Sequence, residues 1–117
     1  GRQREIRCRS GSLVWADFSS LCEGPRSAAD YIDLTRRFST LIVSGIPVMD
    51  DESNNAARRF MHLVDECYDR SVKLIASADV PIEKLYAGRK LADRFQRTVS
   101  RLVEMQSREY LARPHQP

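Results

Sequence analysis

The chain has 117 residues, of which 42% are hydrophobic and 30% charged, and its formal net charge is +3. A chain of this length and composition is typical of a single globular domain, which we take to span residues 1–117. The composition excludes a collagen-like chain, a disordered tail and a disulfide scaffold. No apolar run approaches the roughly 20 residues of a membrane-spanning helix. Because the sequence does not begin with Met, we expect it to be part of a longer protein.

Arginine carries nearly all of the positive charge, since only three lysines are present. A surplus this small does not require nucleic acid as a partner, and no aromatic residues alternate with basic ones as in a nucleic-acid groove. We therefore interpret Trp15 as a core anchor and expect no nucleic-acid partner. The cysteines Cys8, Cys22 and Cys67 are odd in number and lack C-x-x-C spacing, which predicts buried thiols in a reducing cytosol and no metal site.

Four stretches of the chain have the patterns of β-strands. Residues 5–9 alternate weakly and residues 13–17 are richer in apolar side chains, and Gly11 between them predicts a hairpin. The run 40–44 is apolar and rich in β-branched residues, which is typical of a strand covered on both faces. A further apolar run at 72–78 predicts another strand.

Three segments have the 3.6-residue periodicity of helices. Ser27 is a favourable N-cap with an acidic residue three positions later, and it begins a predicted helix at 27–38. The apolar spacing at 55–69 predicts a core-facing helix, and a long helix is predicted at 90–111. We expect the tail at 112–117 to be frayed.

Strands that alternate with helices favour an α/β fold with a parallel sheet. We therefore predict a small, mainly parallel sheet of the strands near 13–17, 40–44 and 72–78, flanked by the three helices. The stretch near 5–9 would add an extra edge strand.

The common nucleotide-binding signatures are absent or misplaced in this sequence. It contains no G-x-x-x-x-G-K-[ST] loop and no G-x-G-x-x-G motif, so it lacks the backbone nest that holds a nucleotide phosphate. The segment 61–66 imitates a Walker B motif, with apolar residues followed by Asp65-Glu66. The apolar residues around this pair follow a helical period, which favours a structural pair in the middle of a helix over a Mg²⁺ ligand at a strand end.

An arginine row is the most prominent charged feature. Arg94, Arg97, Arg101 and Arg108 are spaced by 3, 4 and 7 residues, so they share one face of the predicted last helix. The row is either aimed at phosphates or an acidic partner, or it is a solvated face paired with nearby acidic residues.

Polar residues close two of the predicted strands. Asp17 ends one apolar run, and Ser77 and Asp79 end another. The carboxyl ends of parallel strands are where α/β folds place ligands, but the same residue types also cap helices and form turns. The sequence leaves both interpretations open.

Several stretches together resemble the carboxy-terminal part of the ZapE-type cell-division ATPases, a P-loop family of the AAA+ class with mitochondrial relatives. The resemblance spans almost the whole chain. Its most specific blocks are Arg58-Arg59-Phe60 with Leu63-Val64-Asp65-Glu66, and Ser100-Arg101-Leu102-Val103-Glu104-Met105-Gln106-Ser107. Its less specific stretches are Val14 to Phe18 with Leu21-Cys22, Pro25 to Tyr31, Tyr68-Asp69, Lys73-Leu74-Ile75 with Ser77-Ala78, Leu85-Tyr86, Phe95 to Thr98, and Tyr110-Leu111.

The resemblance implies that the chain is the carboxy-terminal domain of an ATP-hydrolysing parent protein. In this family the Walker A and Walker B motifs and the first arginine finger lie upstream of the matched region. ATP and Mg are therefore expected in the parent and no cofactor in this chain, which we expect to be inert alone and to carry no catalytic residue. Arg97 and Arg101 are the candidates to contact a nucleotide or the neighbouring ATPase domain.

The resemblance also implies partners and a location. The first expected partner is the upstream ATPase domain of the same chain. As an alternative, the domain is an interaction module that binds the tubulin-like division-ring protein or a membrane-protein client. The expected location is the bacterial cytoplasm, at the division site near the inner membrane, with peripheral membrane association.

Overall fold

The computed structural model describes the backbone of residues 6–117 and the side chains from residue 11 onwards. None of the helices in this described part is both long and apolar enough to cross a membrane. The strands are β1 (Ile6–Ser10), β2 (Leu13–Asp17), β3 (Thr40–Ile46) and β4 (Lys73–Ala78), and the helices are α1 (Ala28–Arg37), α2 (Asn54–Asp69), α3 (Ala92–Glu104) and α4 (Arg108–Leu111).

The four strands form one sheet in the order β1-β2-β3-β4. β1 and β2 are an antiparallel hairpin, and Gly11 in its turn has a φ of +58°, which glycine adopts without strain. β2, β3 and β4 are parallel. The predicted α/β class, the parallel sheet and the extra edge strand are thus confirmed, although Glu5 of the predicted edge strand lies outside the described residues.

The helices that connect the parallel strands share one face of the sheet. α1 connects β2 to β3, and α2 connects β3 to β4, so both connections move to the next strand in the same direction across the sheet. Because connections between parallel strands are right-handed, both helices then lie on the same face of the sheet. Leu41 and Val43 are buried beneath the helices, whereas Ile42 between them is only half-buried and its neighbour Ile75 is 55% exposed. The prediction that 40–44 is covered on both faces is therefore wrong within this chain.

Trp15 lies on the same open face, because it is paired in register with Ile42. Its indole N–H donates to Ser44 Oγ at 3.1 Å, and the side chain is half-buried. It is not part of the buried core, so its interpretation as a core anchor is also wrong. An apolar residue in a parallel strand faces the core only when its side of the sheet is covered.

The core is centred on α2. Phe60 of this helix is fully buried, and its ring centroid lies 5.9 Å from that of Phe18 and 6.1 Å from that of Phe95. Of the three cysteines predicted to be buried, Cys22 and Cys67 are buried free thiols, and the side chain of Cys8 lies outside the described residues. Burial raises the pKa of each thiol to about 12, because a thiolate would lose its hydration inside the core.

The first helix begins where the sequence predicts. The Ser27 amide donates to Asp30 Oδ2 at 2.9 Å, which is one half of a capping box, and α1 starts at the next residue.

The prediction of one long helix at 90–111 is wrong, because this segment forms two helices, α3 and α4, with a break after Glu104. α3 ends at Glu104, and Ser107 begins α4 by accepting a hydrogen bond from the Tyr110 amide at 3.2 Å. The break directs the fully buried Tyr110 towards the start of β4, where its hydroxyl donates to the carbonyls of Val72 at 2.6 Å and Cys67 at 3.0 Å. The apolar period continues through the break, which is why the sequence reads as one helix.

The tail after α4 lies against the rest of the domain. The Gln116 amide donates to the Arg70 carbonyl at 2.8 Å, and His115 Nε2 lies 2.6 Å from the Thr35 carbonyl oxygen. Fraying of residues 112–117 concerns motion and stays a prediction.

Candidate functional site

The two sequence blocks that carry the resemblance pack against each other along α2 and α3. The helices run in the same direction, since Phe60 meets Phe95, Asp65 meets Arg101 and Tyr68 meets Glu104. We call the contact among Asp65, Tyr68, Arg101 and Glu104 the α2–α3 seam. It contains one of the two predicted site residues.

Arg101 is held inside the seam. Its Nη1 donates to Asp65 Oδ1 at 2.5 Å, and its guanidinium carbon lies 4.6 Å from the centre of the Tyr68 ring. The Tyr68 hydroxyl in turn donates to Glu104 Oε2 at 2.8 Å, and this hydrogen bond to a carboxylate raises the pKa of Tyr68. The Arg101 guanidinium is therefore engaged on its edge and on its face by the domain itself.

The Asp65-Glu66 pair does not have the geometry of a Walker B site. Both residues lie within α2, as predicted, and not at the end of a strand. Asp65 accepts from Arg101, while Glu66 forms an ion pair with Arg70 and lies 3.2 Å from His62 Nε2. Among the described residues, no group of three or more His, Cys, Asp or Glu side chains could hold a metal ion. Both carboxylates of the pair are thus engaged by side chains of the same domain.

Arg97 has the opposite environment to Arg101, although both lie on α3. It is exposed, as are Arg94 and Arg108, and within residues 11–117 none of these three takes part in an ion pair. Arg108 lies on α4, beyond the break. The predicted row of four is therefore wrong in extent: Arg94, Arg97 and Arg101 remain on one helix, and only the first two have guanidinium groups available for a partner.

Asp51 fixes the start of α3, and sequence reasoning missed it. Its carboxylate accepts the amides of Lys90 at 2.9 Å and Arg89 at 3.0 Å, and the Tyr86 hydroxyl at 3.0 Å. These hydrogen bonds, first from Lys90 and then from Arg89, lower the pKa of Asp51 because they favour the charged form. The contact joins positions 38 and 39 residues apart, so no local sequence pattern indicates it.

The polar residues at the strand ends connect the strands to one another. Ser44 Oγ donates to Asp17 Oδ1 at 2.6 Å across β2 and β3. Ser77 Oγ accepts from the Gly45 amide at 3.0 Å across β3 and β4. Of the two interpretations that the sequence leaves open, this geometry favours the structural one.

Comparison with known proteins places the chain in a family of ATPases. The family model described as AFG1-like ATPase matches residues 1–114. The chain therefore belongs to the AFG1-like ATPase family, in agreement with the resemblance found in the sequence.

Among curated proteins, the chain is similar to the cell division protein ZapE of Escherichia coli K12, with 51% identity over 98 residues that cover 84% of this chain and 26% of ZapE. It is also similar to Lactation elevated protein 1 homolog B of Danio rerio, with 31% identity covering 94% of this chain and 28% of that protein. The chain thus spans about a quarter of the length of these relatives. No solved structure matches it.

Proposed function

We propose that this domain is the accessory carboxy-terminal domain of a ZapE-type ATPase and that the nucleotide is bound elsewhere in the longer polypeptide. Membership of an ATPase family supports an ATP- and Mg-dependent parent. The observation that carries the proposal concerns Asp65-Glu66, the acidic pair that resembles a nucleotide-site motif. Arg101 binds Asp65 in the α2–α3 seam, and Arg70 binds Glu66. In this proposal the domain completes or regulates hydrolysis by contact with its neighbour.

Arg97 is the proposed contact residue. It stands exposed on α3, one helical turn from the internally paired Arg101, so its guanidinium is free to reach a phosphate or an interdomain carboxylate. Arg101 acts in this proposal as a positioning residue, because it binds Asp65 and so holds α3 against α2 one helical turn after Arg97.

The first test is ATP turnover by the purified 117-residue chain and by the longer polypeptide. We expect turnover only from the longer polypeptide. ATP hydrolysis by the 117-residue chain above that of an inactivated control preparation would contradict the proposal.

The second test is Arg97→Ala in the longer polypeptide. Loss of one charge-assisted contact costs about 1.5–3 kcal/mol, which is a fall in turnover of about 10- to 150-fold. The matched control is Arg108→Ala, which removes another exposed arginine, from α4, and should leave turnover unchanged. Full activity of the Arg97→Ala variant would reject this role.

A second candidate function is protein binding, and the exposed Arg94 and Arg97 favour it. In this case the 117-residue chain itself binds an acidic surface of the tubulin-like division-ring protein or of a membrane-protein client. Localisation at the division site and peripheral association with the inner membrane belong to this same proposal. Binding by the isolated chain that weakens as salt is added, and that is lost in Arg94→Ala and Arg97→Ala, would support it.

A further inference from the structure

β4 has the composition of an inner strand but stands at the end of the sheet. Among the described residues it has one neighbouring strand, β3. Residues 75–79 are all exposed, and the exposed stretch includes residues that point to either face of the sheet. Strands of parallel sheets are ordinarily covered on both faces, so β4 lacks the covering that its type of strand normally has.

The outer edge of β4 presents unpaired backbone groups. The Lys73 amide donates to the Ser39 carbonyl at 2.9 Å, so it points towards β3. Because alternate residues of a parallel ladder point to opposite sides, the N–H and C=O groups of Leu74 and Ala76 point away from β3. Natural edge strands are usually protected by charges, prolines or bulges along this side, whereas residues 74–78 contain no charge and no proline.

An apolar groove runs beside this edge, on the helix side of the sheet. Its volume is about 270 Å³. Leu74, Ala76 and Ala78 form its wall on β4, and Leu102 and Met105 form its wall on and just after α3. Since a cavity of roughly 150 Å³ holds a benzene-sized group, this groove has room for about two apolar side chains. Side chains that alternate along an added strand would enter it from the edge.

We propose that β4 pairs along its free edge with a further β-strand from the ATPase portion of the same polypeptide, and that apolar side chains of that strand fill the groove. The inference rests on the proposed function. The relatives support an occupant from the same polypeptide, because the region that this chain matches covers only 26% of the length of Escherichia coli ZapE. A strand in the same chain has a high effective concentration at the edge, which a separate partner lacks.

Amide hydrogen exchange of β4 tests the pairing directly. In the 117-residue chain, the Leu74 and Ala76 amides should exchange quickly, while the Lys73 and Ile75 amides, which point towards β3, should be protected. In the longer polypeptide, the Leu74 and Ala76 amides should exchange at least about 100-fold more slowly. Equally fast exchange of these two amides in the longer polypeptide would overturn the proposal. Protection in the 117-residue chain that grows with its concentration would also overturn it, in favour of a second copy as occupant.

Two variants of the same strand test the groove. Ala76→Glu places a charge on the groove side, and Ile75→Glu places the same charge on the opposite face. Both sites are exposed, so the 117-residue chain should fold with either substitution. In the longer polypeptide, Ala76→Glu should abolish the protection of the Leu74 amide and Ile75→Glu should retain it. Retained protection in Ala76→Glu would overturn the filling of the groove.

The exchange experiment is independent of the proposed function. ATP turnover by the isolated chain would contradict the accessory role, but it would not change the conclusion drawn from amide exchange about the β4 edge. Fast exchange of the Leu74 and Ala76 amides in the longer polypeptide would reject the strand pairing, but it would not affect the conclusion drawn from ATP turnover.

Discussion

The α2–α3 seam and the β4 edge differ in what they leave available to a partner. In the seam, Arg101, Asp65, Tyr68 and Glu104 all bind groups of the same domain. At the β4 edge, backbone groups point outwards beside an apolar groove. Asp65, Arg101 and Glu104 of the seam belong to the two most specific blocks of the resemblance, whereas β4 has one of the less specific matches.

The residues of the most specific motif blocks in this chain therefore form internal contacts. The two most specific blocks are joined by an internal ion pair, because Asp65 of one block binds Arg101 of the other. A strand edge that pairs with another strand needs only apolar side chains and free backbone groups, so many different sequences can form one. We therefore expect the β4 edge, despite its weaker sequence signature, to contact the rest of the polypeptide in addition to Arg97.

We expect the greatest loss of stability at Tyr110, whose side chain is buried beside the start of β4. Tyr110→Ala should lower the free energy of unfolding by about 3–5 kcal/mol, because it empties a fully buried site. Tyr110→Phe, the matched control, removes only the hydroxyl that binds the Val72 and Cys67 carbonyls and should cost about 1–2 kcal/mol. Urea unfolding of the 117-residue chain measures both. A cost below about 1 kcal/mol for Tyr110→Ala would mean that the Tyr110 side chain is not packed in a buried site.

The buried thiols predict a loss of stability in alkali. Cys22 and Cys67 have a pKa of about 12 in the fold, whereas an unfolded thiol titrates near pH 8.5. Between these values the native state binds more protons, so their stabilising effect is complete below the unfolded pKa and falls as pH rises towards 12. Each thiol should lower the free energy of unfolding by up to about 1.4 kcal/mol per pH unit.

Urea unfolding at a series of pH values measures this slope. Cys67→Ala should reduce this slope by the contribution of one thiol, even if the variant is less stable than the wild-type chain at neutral pH. A slope that is the same with and without the Cys67 thiol would show that the thiol is accessible to water.

Two arginines on one helix provide the next test of the comparison. Arg101→Ala should cost about 1–2 kcal/mol, since it removes a partly exposed ion pair and the contact with the Tyr68 ring. Arg97→Ala should change the free energy of unfolding by less than about 0.5 kcal/mol, because the side chain is exposed. Chemical denaturation of the 117-residue chain decides this, and equal costs would contradict the distinction between the two residues.

The smallest effect is expected at Asp51, and it is local. Asp51→Asn weakens the acceptor for the Arg89 and Lys90 amides, whose hydrogen exchange should become faster. In the wild-type chain, the same amides should be protected above the unfolded pKa of the carboxyl group, and the protection should be lost as pH falls through the lowered folded pKa. Asp69→Asn, on the exposed end of α2, is the control. Unchanged exchange in Asp51→Asn would show that the carboxylate does not anchor α3.

Local patterns in the sequence predict most of the elements but not their surroundings. The hairpin around Gly11 and the capped start of α1 are local, and both are confirmed. The exposure of Ile75 depends on which side of the sheet the crossovers occupy, which no single strand encodes. The break before Ser107 follows from the site that Tyr110 fills, and the sequence shows only an unbroken apolar period there.

The candidate site could be predicted only in part for the same reason. Periodicity places Arg97 and Arg101 on one helix, but it does not indicate that Asp65, 36 residues earlier, binds the second of them. Asp51 and its amide partners are likewise joined only by the tertiary fold. Interactions between distant segments decide which charged residue is available for a partner.

Exchange of the charges in the seam tests most directly whether the motif residues are structural. Asp65→Arg and Arg101→Asp should each destabilise the 117-residue chain and lower ATP turnover by the longer polypeptide. The double variant rebuilds the ion pair in reverse, so it should recover most of the stability and most of the turnover. Recovery of stability with turnover still abolished would contradict the account, since it would show that one of these two side chains acts in the reaction itself.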